Sequence, residues 1–112
     1  MKKPWALTKR AQFALVYQQG KIWANRLVLV KALPNSLGLS RYGFSVTKKV
    51  GKAVQRNYLK RLLREITRLQ PIKPGWDLVF IVRPAAGNIG YHQMEQAVIE
   101  LLIQAKLLKG SI

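Results

Sequence analysis

The chain has 112 residues, with 20 Lys or Arg against 4 Asp or Glu, which gives a formal net charge of +16. Hydrophobic residues make up 49% of it, enough for one domain with its own core, so the composition excludes a disordered basic tail. The chain has no cysteine, which excludes a disulfide framework and a thiolate metal site. So large a positive charge attracts anions, and it predicts nucleic acid or an anionic membrane surface as the partner.

The amino-terminal stretch MKKPWALTKR has no apolar run of signal-peptide length before Lys9 and Arg10. No later segment approaches the roughly 18 consecutive apolar residues that a membrane span needs. The clusters of Pro and Gly are short, as in turns within one domain. We therefore expect a single domain over residues 1–112, located in the cytoplasm and without a membrane partner.

The first predicted element is a helix over residues 8–19, capped by Thr8 and ended by Gly20. One face of this helix carries three apolar residues at helical spacing: Phe13, Val16 and Tyr17. Two strands follow, over residues 27–33 (LVLVKAL) and 41–47 (RYGFSVT). The turn-rich segment PNSLGLS joins them, so we expect the two strands to pair as a hairpin.

A long helix is predicted from residue 51 or 52 to residue 69, where the segment 71–75 ends it. The nearly continuous apolar run 76–82 (WDLVFIV) is typical of a central strand that is covered on both faces. A last helix, over residues 91–108, has a core stripe of Met94, Val98, Leu101, Leu102 and Ala105. The order α-β-β-α-β-α predicts an α+β fold in which helices pack on a small sheet.

Like charges are concentrated on the long helix and on the segment that leads into it. Eight basic residues and one acidic residue, Glu65, lie between positions 48 and 68. At about 100° per residue, the projected helix has a basic strip formed by Arg56, Asn57, Lys60, Arg61, Arg64 and Arg68. The opposite, core-facing side is predicted to hold Val54, Tyr58, Leu62, Ile66 and Leu69, while Leu63 falls on the polar side.

A solvated helix normally mixes charges of both signs and pairs Glu with Lys at i, i+4, whereas this strip carries only Glu65, at its edge. Lys48, Lys49 and Lys52 add charge near its amino terminus, where the backbone amides already favour anions. The strip therefore predicts contact with a polyanion, through bidentate Arg–phosphate contacts and the Asn57 amide.

Catalysis by protein side chains is not favoured by the sequence. A nuclease site needs clustered carboxylates for metal ions or a general acid and base. His92 is the one histidine, so a histidine pair is impossible, and D-x-D does not occur among the four acids, which are Glu65, Asp77, Glu95 and Glu100. We expect neither a catalytic residue nor a metal site on the protein.

The stretch FSVTKKVGKAVQRNYLKRLLRE resembles the signature helix of the bacterial ribonuclease P protein family, in which Arg-Asn is followed by Lys-Arg and a further Arg. The stretch QFALVYQQGKIWANRLVLV is similar to the family's first helix and strand, and DLVFIVRPAA to its later strand. The resemblance implies a ribosomal-protein-like α+β sandwich of order α-β-β-(β)-α-β-α, with a third early strand and a left-handed βαβ crossover. It also implies a catalytic RNA subunit that uses Mg²⁺ to remove the 5′ leader of precursor tRNA.

In that family the protein, a monomer bound 1:1 to the RNA, contacts the RNA subunit through the basic helix. Matching positions are Arg56, Asn57, Lys60, Arg61 and Arg64, which Lys48, Lys49, Lys52 and Arg68 extend. Tyr58 departs from the family, which commonly has Arg at that position, and we expect a shifted contact there.

The resemblance further implies a cleft between the first helix and the sheet that holds the single-stranded leader. Phe13 and Tyr17 match its aromatics, Lys31 falls at a cleft-facing strand position that is often aromatic in the family, and Ser45 lies on the facing strand. Aromatic platforms in a positive groove are how proteins hold single-stranded nucleic acid. The alternative is that both aromatics belong to the core.

Two other functions remain open at this level. A structural RNA-binding protein of ribosomal type would share the charge, the size and the lack of catalytic residues, and the RNA that copurifies would distinguish it. A membrane-surface module could use a basic amphipathic helix. That second alternative is disfavoured because the apolar face of the helix is needed for the core.

Overall fold

The computed structural model describes residues 3–110. Its elements in chain order are α1 (Arg10–Gln19), β1 (Lys21–Ala24), β2 (Val28–Pro34), β3 (Arg41–Val46), α2 (Ala53–Leu69), β4 (Trp76–Val82), a short 3₁₀ turn (Pro84–Ala86) and α3 (Tyr91–Gln104). The predicted α+β class is confirmed, and β1 is the additional early strand that the family resemblance implied.

The four strands form one sheet in the order β1-β2-β4-β3. Strand β4 lies between β2, to which it is antiparallel, and β3, to which it is parallel. This confirms the central strand predicted from its apolar run, in which five of the seven residues are buried. The predicted hairpin of residues 27–33 and 41–47 is wrong, because β4 inserts between those two strands.

The hairpin in this sheet is formed by β1 and β2. Its turn is closed by Asn25, whose side-chain oxygen accepts hydrogen bonds from the backbone amides of Leu27 and Val28 at 3.1 and 2.9 Å. Strand β1 has only four residues, three of them exposed, so it carries little of the apolar alternation by which strands are found in sequence.

Two predicted helix ends are also corrected. Helix α1 begins at Arg10, and Thr8 does not cap it; instead the Gln12 side chain accepts hydrogen bonds from the amides of Thr8 and Lys9, both at 3.0 Å. Helix α3 ends at Gln104, because Lys106 takes a left-handed conformation (φ 58°) that turns the chain back. Residues 107–108 then pair with the segment after α2 instead of extending the helix.

The sheet separates two apolar clusters. On one face, α2 and α3 cover alternate residues of β2 and β4, and this side holds the main core. On the other face, α1 packs with Leu7 over a smaller cluster that contains Val16 and Val79. Because α1 is a single short helix, it leaves part of its face of the sheet uncovered.

An ion pair fastens the outer end of β3 to β4. Arg41 donates from Nε and Nη2 to the two carboxylate oxygens of Asp77, at 2.9 and 2.7 Å, and Asn35 adds a third donor at 2.8 Å. Asp77 is buried, and its hydrogen bond to Arg41 raises the pKa of that guanidinium. One of the four acidic residues of the chain, Asp77, therefore has a structural role in holding β3 and β4 together.

Helix α1 approaches the sheet closely because β3 has a glycine under it. A Cβ atom at Gly43 would collide with Cε1 of Phe13 and lie 2.6 Å from its Cζ. Contacts this short do not occur between real atoms, so the Phe13 ring occupies the place where any other residue would have a side chain.

We therefore expect Gly43→Ala to lower the free energy of unfolding by about 1–3 kcal/mol, since the ring and α1 must move away from the sheet. Urea denaturation monitored by circular dichroism measures the change. The matched control is Gly38→Ala, where nothing lies within 4 Å of the added Cβ. Equal stabilities of the two variants would contradict this account of the α1 contact.

Candidate nucleic-acid interface

The orientation of α2 about its axis differs from the sequence prediction. Its buried residues are Leu59, Leu62, Leu63, Ile66 and Thr67. Leu63, which the projection had placed on the polar side, is completely buried. Conversely, Val54 and Leu69, placed in the predicted core, are 82% and 63% exposed.

The cause is that apolar residues occupy two flanks of this helix. With Arg56 at zero and about 100° per residue, the buried positions centre near 310°, whereas the projection assigned the core to about 160–280°. The structure selects the flank that fits against the sheet. The basic residues still lie along one side of α2, but the edges of that side differ from those of the projection.

The centre of the exposed face of α2 is basic. Four residues of the predicted strip are exposed there: Asn57, Arg61, Arg64 and Arg68. The other two, Arg56 and Lys60, are half-buried at the edge of the core. Arg56 has a buried Nε with no hydrogen-bond partner within residues 3–110. The corrected strip is thus narrower, with Arg56 and Lys60 at its margin.

Tyr58 lies on this exposed face and not at the core boundary. The guanidinium carbon of Arg61 is 5.8 Å from the centre of the Tyr58 ring, within cation–π range. An aromatic ring therefore stands within the strip at the position where the family commonly has Arg. It holds Arg61 in place and adds a flat surface beside it.

The three lysines that precede α2 are exposed on the turn between β3 and the helix: Lys48, Lys49 and Lys52. The turn is anchored by Val50, which is buried and whose amide donates to the carbonyl of Thr47 at 3.0 Å. The positive charge of the strip thus continues around the amino-terminal end of α2, as the sequence predicted.

A second surface lies on the α1 face of the sheet. The register places Leu29, Ile81 and Ser45 side by side across β2, β4 and β3. All three are half-buried, whereas Val79, two residues before Ile81 on β4, is fully buried under α1. The uncovered row lies beside α1, where the family resemblance predicts a cleft.

Four sequence-predicted residues are found around this cleft. Phe13 and Tyr17 lie one turn apart on α1, with ring centres 6.4 Å apart. Lys31 has its Nζ 5.1 Å from the Tyr17 ring centre and donates to the Tyr17 carbonyl at 3.3 Å. Ser45 lies across the sheet in the uncovered row. Tyr17 and Lys31 are therefore in direct contact, whereas Ser45 is separated from Lys31 by strand β4.

The two aromatics differ in their surroundings. Phe13 is half-buried and packs into the cluster of Leu7, Val16 and Val79, so it belongs partly to the core. Tyr17 is 38% exposed and packs in neither core cluster. Phe13 is therefore partly a core residue, whereas Tyr17 belongs to neither core cluster.

Three contributors to the cleft were missed by sequence reasoning: Leu29, Gly43 and Ile81. Leu29 and Ile81 read as ordinary strand residues, since only the pairing register shows that they share a row with Ser45. The signal for Gly43 was a glycine within a strand pattern, which often marks a close approach of another group.

The acidic side chains do not gather into a metal site. Within residues 3–110 no group of three or more His or acidic residues is placed to hold a metal ion. Asp77 is already bound by Arg41 and Asn35. In the same part of the chain, no helix is long and apolar enough to cross a membrane.

A small α+β domain with an arginine strip on one helix and a cationic, aromatic cleft beside its sheet has the features of a nucleic-acid-binding protein. The comparisons with known proteins give the family. A family model described as Ribonuclease P matches residues 1–106. The chain therefore belongs to the ribonuclease P protein family, and so has a role in the tRNA-processing endoribonuclease complex of that name.

Relatives and solved structures agree with this assignment. A ribonuclease P protein component of Dehalococcoides mccartyi is 46% identical over 108 residues, covering 96% of this chain and 90% of that protein. The fold is similar to the RNase P protein of Staphylococcus aureus, with a TM-score of 0.88 and 32% identity over 96% of this chain and 100% of that one. For the RNase P protein of Thermotoga maritima the TM-score is 0.80, with 33% identity over 87% and 94% of the two chains.

The environments of the two cleft aromatics predict different effects on folding. Phe13→Ala should lower the free energy of unfolding by about 2 kcal/mol, less than for a fully buried Phe because the ring is only half-buried. Tyr17→Ala should change it by less than about 0.5 kcal/mol, as for an ordinary surface position. Urea denaturation of the two variants measures both values. A large loss for Tyr17→Ala would show that this ring is a core residue.

Proposed function

We propose that this protein binds the RNA subunit of ribonuclease P through the exposed face of α2 and holds the 5′ leader of precursor tRNA in the cleft beside α1. The observation that carries the proposal is the exposed strip of Arg61, Arg64 and Arg68. None of the three forms an ion pair with another residue of the described chain. Their mutual repulsion is relieved when phosphates bind to the strip.

The cleft suits a single strand of RNA. Tyr17 offers an exposed ring for stacking, which contributes about 1–3 kcal/mol per base in such sites. Lys31, beside the ring, supplies a positive charge for the backbone, and Ser45 supplies a hydroxyl. Ser45 is three residues before Lys48, so the chain passes directly from the cleft to the basic turn before α2. A leader in the cleft would therefore run toward the RNA subunit bound by α2.

Cleavage itself is assigned to the RNA subunit with Mg²⁺. The carboxylates of the described chain form no cluster that could hold catalytic metal ions. The protein's own contribution is to neutralise phosphates and to position the leader. We further propose that it acts in the cytoplasm as a monomer, bound 1:1 to the RNA.

The alternative functions have less support. The family assignment favours ribonuclease P over a ribosomal RNA-binding protein of similar composition. A membrane-surface helix would need a free apolar face, and the main apolar stripe of α2 is buried against the sheet.

Reconstitution tests the proposal directly. The purified protein is combined with a transcribed bacterial ribonuclease P RNA and a 5′-labelled precursor tRNA, at a low Mg²⁺ concentration where the RNA alone is slow. We expect cleavage at the mature 5′ end to require both components. Tyr17→Ala should weaken precursor affinity by roughly tenfold, from the loss of one stacked base.

The matched substrate is a precursor with its leader shortened to one nucleotide, for which Tyr17→Ala should have no effect. Protein-only and RNA-only reactions complete the set. If the protein binds RNA tightly but adds nothing to cleavage, the structural RNA-binding alternative gains.

The salt dependence of RNA-subunit binding tests the role of the α2 strip. Replacing Arg61 or Arg64 by Gln should each lower the slope of log K against log salt concentration by about 1, because each removes one phosphate contact. Filter binding between 50 and 200 mM salt, a range chosen as typical for such measurements, gives the slopes.

Arg26→Gln is the matched control for this measurement. Arg26 is exposed on the β1–β2 turn, away from α2, and has the same charge. Its replacement should leave the slope unchanged. If all three variants lower the slope equally, the attraction belongs to the net charge of the protein and not to the strip.

A further inference from the structure

A pocket of about 520 Å³ lies between the amino-terminal segment 3–7 and the carboxyl-terminal half of α2. Its walls contain two aromatic rings, Trp5 and Tyr42, and three arginines of the strip, Arg61, Arg64 and Arg68. It also contains Glu65, the acid of α2. This combination is absent from the leader cleft, which lies on the other face of the sheet.

Backbone pairing holds Trp5 in this wall. Residue Ala6 forms a parallel bridge with Tyr42 of β3. The Tyr42 amide donates to the Trp5 carbonyl at 2.6 Å, and the Leu7 amide donates to the Tyr42 carbonyl at 2.9 Å. Trp5 is half-buried, and the Lys3 ammonium lies 5.1 Å from its ring centre. The ring is therefore positioned by the sheet, with the Lys3 ammonium over one of its faces.

Two hydroxyl groups in the pocket wall, those of Ser40 and Thr67, already form hydrogen bonds within the protein. Ser40 donates to the Lys73 carbonyl at 2.6 Å and accepts from the Trp76 amide at 3.0 Å. The Thr67 hydroxyl donates to carbonyls of its own helix. The Tyr42 phenol stays neutral at physiological pH, since burial raises its pKa. Besides its cations, the pocket wall therefore offers a ligand one negatively charged group, the Glu65 carboxylate.

Glu65 has no ion pair within residues 3–110, although Arg61 and Arg68 lie four residues before and three residues after it on the helix. At these spacings a carboxylate normally pairs with such neighbours. Arg61 instead lies over the Tyr58 ring. An unpaired carboxylate among arginines and beside an aromatic ring is suited to a ligand that brings donors, a flat surface and negative charge together.

A nucleotide with a guanine base meets all three requirements. Unpaired bases in RNA are recognised by stacking on aromatic rings and by hydrogen bonds to their Watson–Crick edges. Guanine presents two adjacent N–H donors on that edge, which match the two oxygens of a carboxylate. Adenine and cytosine place an acceptor next to their amino group, and that acceptor would face the second carboxylate oxygen. Arginine guanidiniums are then free to bind the phosphate.

We propose that this pocket, defined by Trp5, Tyr42, Glu65 and the neighbouring arginines, binds an unpaired guanine of the RNA that lies on α2. The base stacks on Trp5, its N1–H and N2–H donate to Glu65, and its phosphate lies against Arg64 or Arg68. This inference rests on the proposed function, because it identifies one specific contact within the RNA surface assigned to α2. The strip itself binds phosphates of any sequence, whereas the pocket selects a base.

Guanosine and adenosine 5′-monophosphate are the probes, because they carry the same phosphate and differ in the edge that Glu65 would read. Titrations of the full-length protein are followed in ¹H–¹⁵N spectra through the Trp5 indole signal, which is assigned from the Trp5→Leu variant. We expect guanosine monophosphate to bind about tenfold more tightly than adenosine monophosphate. Glu65→Gln should bring the two affinities together, since a carboxamide no longer offers two acceptors.

Glu100→Gln, on the exposed side of α3, removes the same charge elsewhere and should leave the preference intact. Equal binding of the two nucleotides by the unmodified protein, or an unchanged preference in Glu65→Gln, would overturn the proposal. Glu65 is exposed, so its variant folds and decides the matter even if Trp5→Leu does not. If the protein supports cleavage in the reconstitution but shows no preference for guanosine monophosphate, the pocket proposal alone is refuted. If it shows the preference but does not support cleavage, the proposed function alone is refuted.

Discussion

Burial of one apolar stripe of α2 against the sheet determines how this molecule presents its charge. Leu59, Leu63 and Ile66 are completely buried there. Their packing sets the rotation of the helix about its axis, and that rotation decides which cations face solvent. A protein of net charge +16 repels itself, and the apolar contact keeps the like charges of α2 on one surface in spite of that repulsion. The exposed strip is therefore a consequence of the core.

The same sheet separates the two surfaces assigned to RNA. Its α2 face is filled, whereas its other face is covered by a single ten-residue helix, so a row of half-buried side chains stays open beside α1. Gly43 lets the Phe13 ring reach the sheet and so sets the height of one cleft wall. Phe13 supports that wall from within the small core cluster, and Tyr17 presents its ring to the opening. The two aromatics, one turn apart, thus differ in role: Phe13 packs in the small core cluster, and Tyr17 is the ring proposed for binding.

The segment before α1 pairs with the outer edge of β3. Because residues 5–7 pair with Tyr42, the exposed edge of the sheet is partly covered. The same pairing brings Trp5 to the carboxyl-terminal half of α2, where Glu65 stays without a partner in the described chain. The strip proposed to bind phosphates of any sequence and the pocket proposed to select a base would then lie on one side of the molecule.

The sequence by itself determined the types of all the helices and of every strand except β1, the central position of β4, the concentration of basic residues on α2 and the family, because these depend on local composition, apolar periodicity and a specific motif. It did not determine that β4 separates β2 from β3, since strand pairing is a contact between distant segments. Nor could the sequence show which of the two apolar flanks of α2 is buried. Packing of the helix against the sheet buries Leu63 and leaves Tyr58 exposed. The register across three strands, and with it the cleft row and the Trp5 pocket, was decided by tertiary structure alone, because side chains far apart in sequence become neighbours only through packing.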